Sequence, residues 1–392
     1  VGTLSSSDYR RDNRYTFSDG SEDSYVMNVD SRRRSLISEV SYFHTFSDKT
    51  TLSGGYQNTV SRSTNTYLLT GKKPLLTENN NYAYVRLGQN VGKFYLSLST
   101  GVKLFWIKND LNKRNFIRNL SNARVSWNIN SKWNLQGSFY YGPSIPSLSE
   151  LTDNPQQTTP YLVSNGNPDL KVSEYFTYSV DADYTIRKFQ ASFRSLYSTS
   201  NNSVISDIRY LGDGLFLSQS VNAKSRRVFQ NDLSLRISDV KGFGANLYLG
   251  VTHYETAGAD WRHTLNSFNG SVTVWWSNGP YTVTYWRKVP GKYLSGHYVG
   301  KNENGDALQF NWQPNKHWNV GAIWMYMFDK KGTRYPAWDY SSVNPSYRDR
   351  YIKNNSNMVV LSVSYSADFG SIFRTARRNL NNSDGGSSLL RQ

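Results

Sequence analysis

The stretch Phe176-Thr-Tyr-Ser-Val-Asp-Ala-Asp-Tyr184 alternates apolar or aromatic residues with polar ones. After the turn Thr185-Ile-Arg187, the alternation continues through Phe189-Gln-Ala-Ser-Phe-Arg194. A two-residue period puts every second side chain on the same face of a β-strand. The stretch therefore predicts a tight β-hairpin with one apolar and one polar face, as found in soluble sheets and in transmembrane barrels alike.

The same alternation recurs along most of the chain, whereas helix signals are nearly absent. Gly, Asn, Ser and Asp separate the alternating runs, as turns require. We predict fifteen strands, at residues 34–46, 50–62, 82–91, 94–108, 116–128, 133–141, 172–184, 188–199, 216–237, 244–256, 262–277, 281–292, 304–313, 318–328 and 354–369.

The connections between these strands alternate in length. The short ones are 47–49, 92–93, 129–132, 185–187, 238–242, 278–280 and 314–317. The longer ones are 63–81, 109–115, 142–171, 200–215, 257–261, 293–303 and 329–353. Short turns at one end and long loops at the other are typical of an up-and-down outer-membrane barrel, and not of a sandwich or a propeller.

Large aromatic residues border nearly every short turn, in phase with the apolar face of their strand. In a bilayer they would form one interfacial girdle. The predicted girdle is Phe46, Phe94, Trp127, Trp133, Tyr184, Phe189, Phe243, Trp276, Tyr281, Trp312, Trp318 and Phe369.

The opposite strand faces carry charged residues that belong in a hydrated lumen. A charge that faces lipid near the bilayer midplane costs about 2–4 kcal/mol, so these side chains are expected to point inward. The predicted lumen-facing set is Glu39, Lys103, Arg124, Asp181, Arg194, Asp232 and Arg236.

Composition agrees with a chain that is half apolar along each strand. Of 392 residues, 38% are hydrophobic, yet 15% are aromatic. No apolar run approaches the roughly 18–20 residues of a membrane helix, so a helical membrane protein is excluded. Cysteine is absent, which leaves no disulfide or thiolate chemistry. The net charge of +16 attracts anionic partners such as lipopolysaccharide phosphates, but its scattered distribution is more typical of solvated loops and lumen walls; no nucleic-acid partner is expected.

Strand parity raises the question of what precedes the first predicted strand. Strands one and fifteen run in the same direction, so an odd number cannot close as an antiparallel ring. Either residues 1–30 hide another strand or further strands precede Val1. The segment Asp8-Tyr-Arg-Arg-Asp-Asn-Arg14 has no apolar row. We therefore expect residues 1–33 to be outer loop, residues 1–370 to be part of a larger barrel, and residues 371–392 to be a basic periplasmic tail.

The loop 142–171 ends in Asn167-Pro168-Asp169-Leu170-Lys171 and enters a strand at Val172. This five-residue motif resembles the loop-to-strand signature of TonB-dependent receptor barrels. The tail Arg377-Arg-Asn-Leu-Asn-Asn-Ser-Asp384, after a strand ending at Phe369, is similar to Bacteroidetes-type receptors of the outer-membrane β-barrel family.

The resemblance implies a 22-stranded barrel, an amino-terminal plug and energy coupling through TonB. No plug or TonB box is visible here, so TonB would be a partner only through a plug segment outside this chain. The aromatic end of the last strand resembles the signal read by the barrel-assembly machinery.

No residue pattern predicts catalysis or a cofactor. The five histidines show no metal-ligand spacing, and no Gly-x-Ser-x-Gly context or phosphate-cradling loop is present. These histidines are His44, His253, His263, His297 and His317. Substrate contacts are expected from lumen walls and long loops, where four aromatic residues are candidates: Tyr161, Tyr210, Tyr335 and Trp338.

We interpret the chain as the carboxy-terminal barrel of a TonB-dependent nutrient importer in a Gram-negative outer membrane. Its lipid partners would be outer-membrane lipid and lipopolysaccharide, and its ligand a nutrient that the sequence does not name. A self-contained porin or FadL-like channel of 14 or 16 strands is the alternative, which an amino-terminal strand paired with the last one would support. A secreted carbohydrate-binding all-β protein is the alternative of another class, and it predicts a packed dry interior.

Overall fold

The structure is a computed structural model, which describes residues 2–67, 71, 73–108, 113–328 and 332–367. Within these residues, the only helix is the four-residue α1 (Leu148–Leu151). No helix in the described part of the chain is long and apolar enough to cross a membrane. The predicted girdle residue Phe369 and the predicted tail 371–392 lie outside the described residues.

Long antiparallel strands make up most of the described chain. The first seven are β1 (Gly2–Thr16), β2 (Glu22–Ser47), β3 (Thr50–Tyr67), β4 (Leu75–Val91), β5 (Phe94–Lys108), β6 (Lys113–Asn128) and β7 (Trp133–Ser144). After the short β8 (Gln156–Thr159) and β9 (Leu162–Asn165) come β10 (Ser173–Ile186), β11 (Phe189–Gly212), β12 (Leu215–Val240), β13 (Phe243–Ala257), β14 (Arg262–Asn278) and β15 (Tyr281–Val289). The remainder are β16 (Lys292–Ser295), β17 (Tyr298–Lys301), β18 (Gly305–Trp312), β19 (Trp318–Met325), β20 (Thr333–Asp339), β21 (Ser346–Ile352) and β22 (Met358–Tyr365).

The described strands form one large sheet of eighteen strands and a second sheet of four. Without the short β8 and β9, the large sheet has sixteen strands, each paired antiparallel with the next long strand along the chain. This up-and-down order is the one predicted from the alternating connections. Each of the fifteen predicted strands corresponds to a strand of this sheet.

The first strand, β1, was not among those fifteen. Gly2 lies opposite Leu36 and Thr16 lies opposite Glu22, so residues 2–36 form a long hairpin. Residues 2–16 and 22–33 are therefore strand, where the sequence suggested loop. The hairpin lies beyond the apolar row of β2, where neither strand face needs apolar residues. For that reason the sequence carried no alternating signal; its outer position remains a prediction.

The apolar face of the sheet is exposed and does not pack against another layer. Val40, Leu98 and Leu361 on this face are 72%, 57% and 77% exposed, respectively. Among the described residues, the cluster of buried hydrophobic side chains is small and contains Leu76, Ile107, Leu151 and Leu170. A sandwich would bury one face of each sheet, so this arrangement excludes the packed dry interior that a soluble all-β protein requires.

The sheet is an open arc within the described residues. No ladder joins β22 to β1 or β2 there, and β1 pairs only with the part of β2 up to Leu36. Beyond Leu36, no described strand lies along that edge of β2, and none lies along the outer edge of β22.

Three of the long connections contain structure of their own. The 142–171 connection contains α1 and the hairpin of β8 and β9. The 293–303 and 329–353 connections supply the second sheet, whose strand order is β16-β17-β20-β21. By contrast, the short connections are tight turns: in Asn278-Gly279-Pro280, Gly279 has φ +54, a left-handed conformation that glycine adopts without strain.

Candidate functional site

A belt of hydrogen-bonded polar side chains runs across the inner face of the sheet from β7 to β14. Ser138 and Ser179 hydroxyls are 2.8 Å apart, and Ser179 donates to Asp181 at 3.1 Å. Arg194 Nε lies 3.4 Å from Asp181 Oδ1. Ser138 lies opposite Ser179, and Asp181 lies opposite Arg194, so the belt continues from one strand to the next.

The belt continues on the next strands around Asp232, which lies opposite Arg194. The Tyr248 hydroxyl donates to Asp232 at 2.7 Å, and the Gln230 amide donates to its second oxygen at 2.8 Å. Asn269 in turn donates to the Tyr248 hydroxyl at 3.4 Å. We call Ser138, Ser179, Asp181, Arg194, Asp232 and Tyr248 the polar belt. Such a surface offers donors and acceptors to a hydrated solute.

The other residues predicted to face the lumen share this inner face. Arg236 lies 5.6 Å from the Trp275 ring and lines a cavity of about 480 Å³ with Ser192 and Asn246. Lys103 Nζ lies 5.2 Å from the Tyr82 ring. Glu39 accepts a hydrogen bond from Gln57 on the adjacent strand, and Arg124 lies opposite Ser97 and Ser138. That this face borders water remains a prediction.

The connection between β7 and β10 crosses the inside of the sheet; residues 145–171 are called the crossing segment. At one side, β9 adds to the sheet as a parallel neighbour of β12, from Leu162 opposite Phe216 to Asn165 opposite Gln219. The backbone N–H of Phe216 donates to the Tyr161 carbonyl at 2.7 Å, which extends the ladder by one bond.

At the other side, the crossing segment contacts β1. The Asn13 side chain and the Tyr15 hydroxyl both donate to the Thr158 carbonyl, at 3.0 and 3.3 Å. Nine consecutive ladders separate β1 from β12 around the sheet, about 43 Å at the usual strand spacing. The hairpin of β8 and β9 contacts both β12 and β1, so the sheet curves around the crossing segment. The crossing segment therefore narrows the space inside the sheet.

The crossing segment ends in a tight turn made by the predicted motif, Asn167 to Lys171. The backbone N–H of Leu170 donates to the Asn167 carbonyl at 3.4 Å, and the Asn167 side-chain oxygen accepts from the Asp169 N–H at 3.0 Å. Pro168 is therefore the second residue of this turn, where its fixed φ suits the chain reversal and its missing N–H leaves no donor unpaired. The Pro168 ring is half-buried, whereas Asp169 is exposed.

The same motif anchors the end of the crossing segment to the wall. The Asn167 amide donates to the Ser220 carbonyl at 3.0 Å. Leu170 is fully buried in the small apolar cluster. Lys171 exchanges two backbone hydrogen bonds with the Asn222 side chain, at 2.7 and 3.1 Å. The motif therefore fixes the end of the crossing segment to β12. That it is a signature of receptor barrels stays a prediction.

A cavity of about 300 Å³ lies between the crossing segment and the strands β2 to β5. Arg33 and Glu78 line it, and their side chains pair at 2.9 Å. Ser61 also donates to Glu78 at 2.9 Å. On the opposite wall, Ile145 and Ser147 belong to the crossing segment. The cavity is polar on β2 to β4 and apolar on β5, where Phe105 and Ile107 line it, which suits it to water or a small solute.

The four aromatic candidates for ligand contact fall into two separate groups. Tyr161 and Tyr210 are each 56% exposed and meet around Phe216, whose ring lies 5.2 Å from that of Tyr210. Tyr335 and Trp338 both lie on β20 in the second sheet, where Lys292 Nζ is 4.0 Å from the Trp338 ring. A hydrogen bond to Glu303, with burial as a second cause, raises the pKa of Tyr335. The structure does not bring the two groups together.

Two histidines meet at the long-loop end. His263 Nε2 lies 2.9 Å from His297 Nδ1, and His297 Nε2 lies 3.6 Å from Asp207 Oδ1. Burial lowers the pKa of His263, and the neighbouring His297 adds to that effect, whereas Asp339 opposes it. No metal-ligand spacing signals this pair in the sequence, because 34 residues separate its members. Among the described residues, no group of three or more His, Cys, Asp or Glu is arranged to hold a metal ion.

The predicted aromatic girdle lies at the short-turn end of the sheet, apart from Phe369. Cross-strand neighbours contact one another: the rings of Phe94 and Trp127 stack at 5.5 Å, and those of Trp133 and Tyr184 lie 4.7 Å apart. Phe46 is 62% exposed, so these rings cover no protein core. Their role at a bilayer interface remains a prediction.

An exposed apolar face, an inner polar face and an up-and-down order of antiparallel strands define an outer-membrane β-barrel protein. The sequence matches the Outer membrane protein beta-barrel family over residues 3–307. The chain belongs to this family, and it is a protein of the Gram-negative outer membrane. The secreted alternative is thereby excluded. No curated protein matches the chain.

Three solved structures share this fold with the chain at 9–13% sequence identity. The copper transporter OprC has a TM-score of 0.66 at 10% identity, over 87% of this chain and 57% of its own. The FrpB iron transporter from Neisseria meningitidis gives 0.60 at 13% identity, over 93% and 62%. The ferric-catecholate import receptor Fiu from E. coli K12 gives 0.62 at 9% identity, over 92% and 60%. The expected likeness to receptor barrels is thus confirmed for the fold, and the chain spans about three fifths of these proteins. The neighbours are transporters and receptors; the Bacteroidetes type remains a prediction.

Proposed function

We propose that this chain is the carboxy-terminal barrel region of an outer-membrane receptor that imports a nutrient. The open arc of sixteen strands carries the proposal. Each unpaired backbone group in hydrocarbon costs several kcal/mol, so an arc that does not close among the described residues requires further strands. A barrel of more than sixteen strands is larger than the predicted passive channel, and it agrees with the fraction of the receptor structures that this chain covers.

In this proposal, the ligand binds among the long loops and passes the crossing segment and the polar belt. The crossing segment narrows the lumen, so an open diffusion path is not expected on its side. A plug outside the described residues would close the remaining space, and TonB would act through that plug. No catalytic step and no cofactor are required; the chain is proposed to be a receptor and not an enzyme.

The ligand is proposed to be a metal ion or a metal chelate. The fold neighbours carry copper, iron and ferric-catecholate complexes in their names. Exposed aromatic rings at the long-loop end, Tyr161 and Tyr210, are suited to stack on the flat groups of a chelate. These two and the pair Tyr335 and Trp338 stay the proposed loop contacts.

The remaining predicted assignments complete the proposal. The aromatic girdle lies at the periplasmic interface, the seven charged residues line the lumen, the hairpin of residues 2–36 projects outward, and residues 371–392 form a periplasmic tail. Outer-membrane lipid, lipopolysaccharide and the barrel-assembly machinery are partners, and nucleic acid is not. The source organism is proposed to be of the Bacteroidetes type.

Uptake of radiolabelled copper and of iron chelates by cells that express the full-length protein tests this function. We expect saturable uptake that stops when an uncoupler dissipates the proton-motive force. Uptake that rises linearly with concentration and ignores the uncoupler would instead support the second candidate, a passive channel. That candidate is favoured by β1, which makes the strand count even; yet β1 pairs with β2 and, among described residues, not with β22.

A further inference from the structure

Four basic residues form one row on the outward face of the sheet, just beyond its apolar band. Arg34 lies opposite Arg62, Arg62 opposite Thr77, Thr77 opposite Lys108, and Lys108 opposite Lys113. The row crosses five neighbouring strands, β2 to β6. We call these cations, Arg34, Arg62, Lys108 and Lys113, the basic row.

Residue parity places the basic row on the side that faces lipid. Each member is an even number of residues from an exposed apolar side chain on its own strand: Leu36 (57%), Val60 (39%), Leu104 (44%) and Ile117 (67%). The alternate residues point inward; Arg33, next to Arg34, pairs with Glu78 inside. The row is therefore separate from the polar belt and the crossing segment.

The height of the row matches the outer headgroup layer. Arg34 is 12 residues from the girdle residue Phe46, Lys108 is 14 from Phe94, and Lys113 is 14 from Trp127. With about 3.4 Å per residue and a strand tilt of about 35–45°, these separations correspond to about 29–39 Å along the barrel axis. The apolar band of such barrels is about 25 Å tall, so the four cations lie just outside it.

The four cations lack anionic partners within the described part of the protein. All four side chains are exposed, and no described carboxylate lies within ion-pair distance of any of them. The nearby Arg32 differs, because it pairs with Asp30 at 3.1 Å. Like charges directly opposite each other on adjacent strands repel, and this row contains two such pairs. An external anion at each pair would remove that repulsion.

The row also contains an interfacial aromatic side chain. Trp106 lies on the outward face two residues before Lys108, and Lys113 Nζ is 5.6 Å from its ring centroid. Tryptophan prefers the membrane–water interface, so this contact holds the Lys113 ammonium at headgroup level. A soluble anion would not contact the outward apolar side chains next to the basic row, whereas a lipid would.

We propose that the basic row binds the phosphates of a diphosphorylated glycolipid of the outer leaflet. Arg62 and Lys108 are two ladders apart, about 10 Å, so the two cationic pairs are placed to take one phosphate each. Arginine binds phosphate oxygens through paired N–H donors, and lysine binds them as a point charge. The acyl chains then lie against the apolar rows that contain Leu36, Leu104 and Ile117.

The test compares lipid binding by the full-length protein and two variants in phosphatidylcholine nanodiscs. The probe is diphosphorylated lipid A, measured by native mass spectrometry and titration; dephosphorylated lipid A and inorganic phosphate are the comparison ligands. The test variant carries Arg34→Gln, Arg62→Gln, Lys108→Gln and Lys113→Gln. The control variant removes four exposed lysines of the short turns, through Lys49→Gln, Lys132→Gln, Lys241→Gln and Lys316→Gln.

We expect the test variant to bind diphosphorylated lipid A at least tenfold more weakly, the control variant to stay within twofold of the unmodified protein, and dephosphorylated lipid A to bind all three alike. If the test variant stays within twofold, or the control weakens as much, the proposal is wrong. Binding of inorganic phosphate without preference for the lipid would also overturn it. Should the fourfold variant fail to fold, the two double variants, at Arg34 and Arg62 or at Lys108 and Lys113, give the same test in halves.

Discussion

Arg33 and Glu78 form an ion pair at 2.9 Å beneath the crossing segment, with side-chain exposures of 8% and 24%. The next residue, Arg34, points to the opposite face of the sheet and joins the basic row. One step along β2 thus separates a shielded internal charge from one at the lipid headgroups.

Removing Glu78 would delete the carboxylate that pairs with the Arg33 guanidinium, which is shielded from water. We expect Glu78→Ala to lower the free energy of unfolding by about 2 kcal/mol, less than for a fully buried pair because Glu78 keeps some access to water. Urea unfolding in lipid vesicles measures the change. Arg334→Ala is the matched control: it breaks the exposed pair with Asp349, which is worth less than about 1 kcal/mol. Equal losses would show that the internal pair is solvated.

Adjacent residues on β5 test which strand face meets lipid. Leu98 is on the outward face, 57% exposed, and Ser97 is on the inner face. We expect Leu98→Arg to destabilise the folded barrel by about 2–4 kcal/mol, because a charge would enter hydrocarbon. We expect Ser97→Arg to cost about 1 kcal/mol or less, because its guanidinium stays in water and meets only the like charge of Arg124 on the opposite strand. Unfolding in vesicles gives both values. The reverse order would contradict the assignment of the two faces.

A disulfide can test whether the crossing segment moves during transport. Ser164 on β9 lies directly opposite Ser218 on β12, and the protein contains no cysteine that would compete. Paired strands bring Cα atoms within disulfide range. In oxidised Ser164→Cys/Ser218→Cys protein we expect uptake at least tenfold below that of the reduced form.

The control for this variant cross-links two strands of the fixed wall. Thr177 lies opposite Ser198 on the β10–β11 hairpin, so oxidised Thr177→Cys/Ser198→Cys protein should transport as the reduced form does. Full uptake by the oxidised Ser164→Cys/Ser218→Cys protein would show that the crossing segment is a static constriction.

We expect acidification to destabilise the second sheet, because His263 on β14 contacts His297, which lies between β16 and β17 of that sheet. Burial, followed by the nearby His297, lowers the pKa of His263 below its ordinary value of 6.5. The unfolded segment therefore takes up the proton more readily than the folded one, so stability is present above pH about 6.5 and is lost as pH falls toward the folded pKa.

Amide hydrogen exchange of Tyr298–Lys301, on the strand that follows His297, measures this loss. We expect faster exchange at pH 5.5 than at pH 7.5, after correction for the intrinsic rate, and a smaller difference in His263→Gln. His317→Gln is the control, since His317 lies at a short turn and contacts the Ser366 carbonyl. An unchanged pH response in His263→Gln would assign the effect to other groups, of which Asp207 and Asp339 are nearest.

The sequence by itself determined the local order of this protein. A strict alternation such as Phe176 to Tyr184 identifies a strand and its apolar face, because successive side chains of a strand point to opposite faces. The short turns predicted the up-and-down order, because a short connection can join only neighbouring antiparallel strands.

Tertiary structure decided everything that depends on register or on contacts between distant strands. The β1–β2 hairpin was missed because β1 has no row of alternating apolar residues that would mark it as a strand. The crossing segment joins β12 to β1, the pair of His263 and His297 spans 34 residues, and the basic row gathers side chains from four strands. None of these leaves a local pattern, since each arises only when pairing and curvature bring remote residues to the same place.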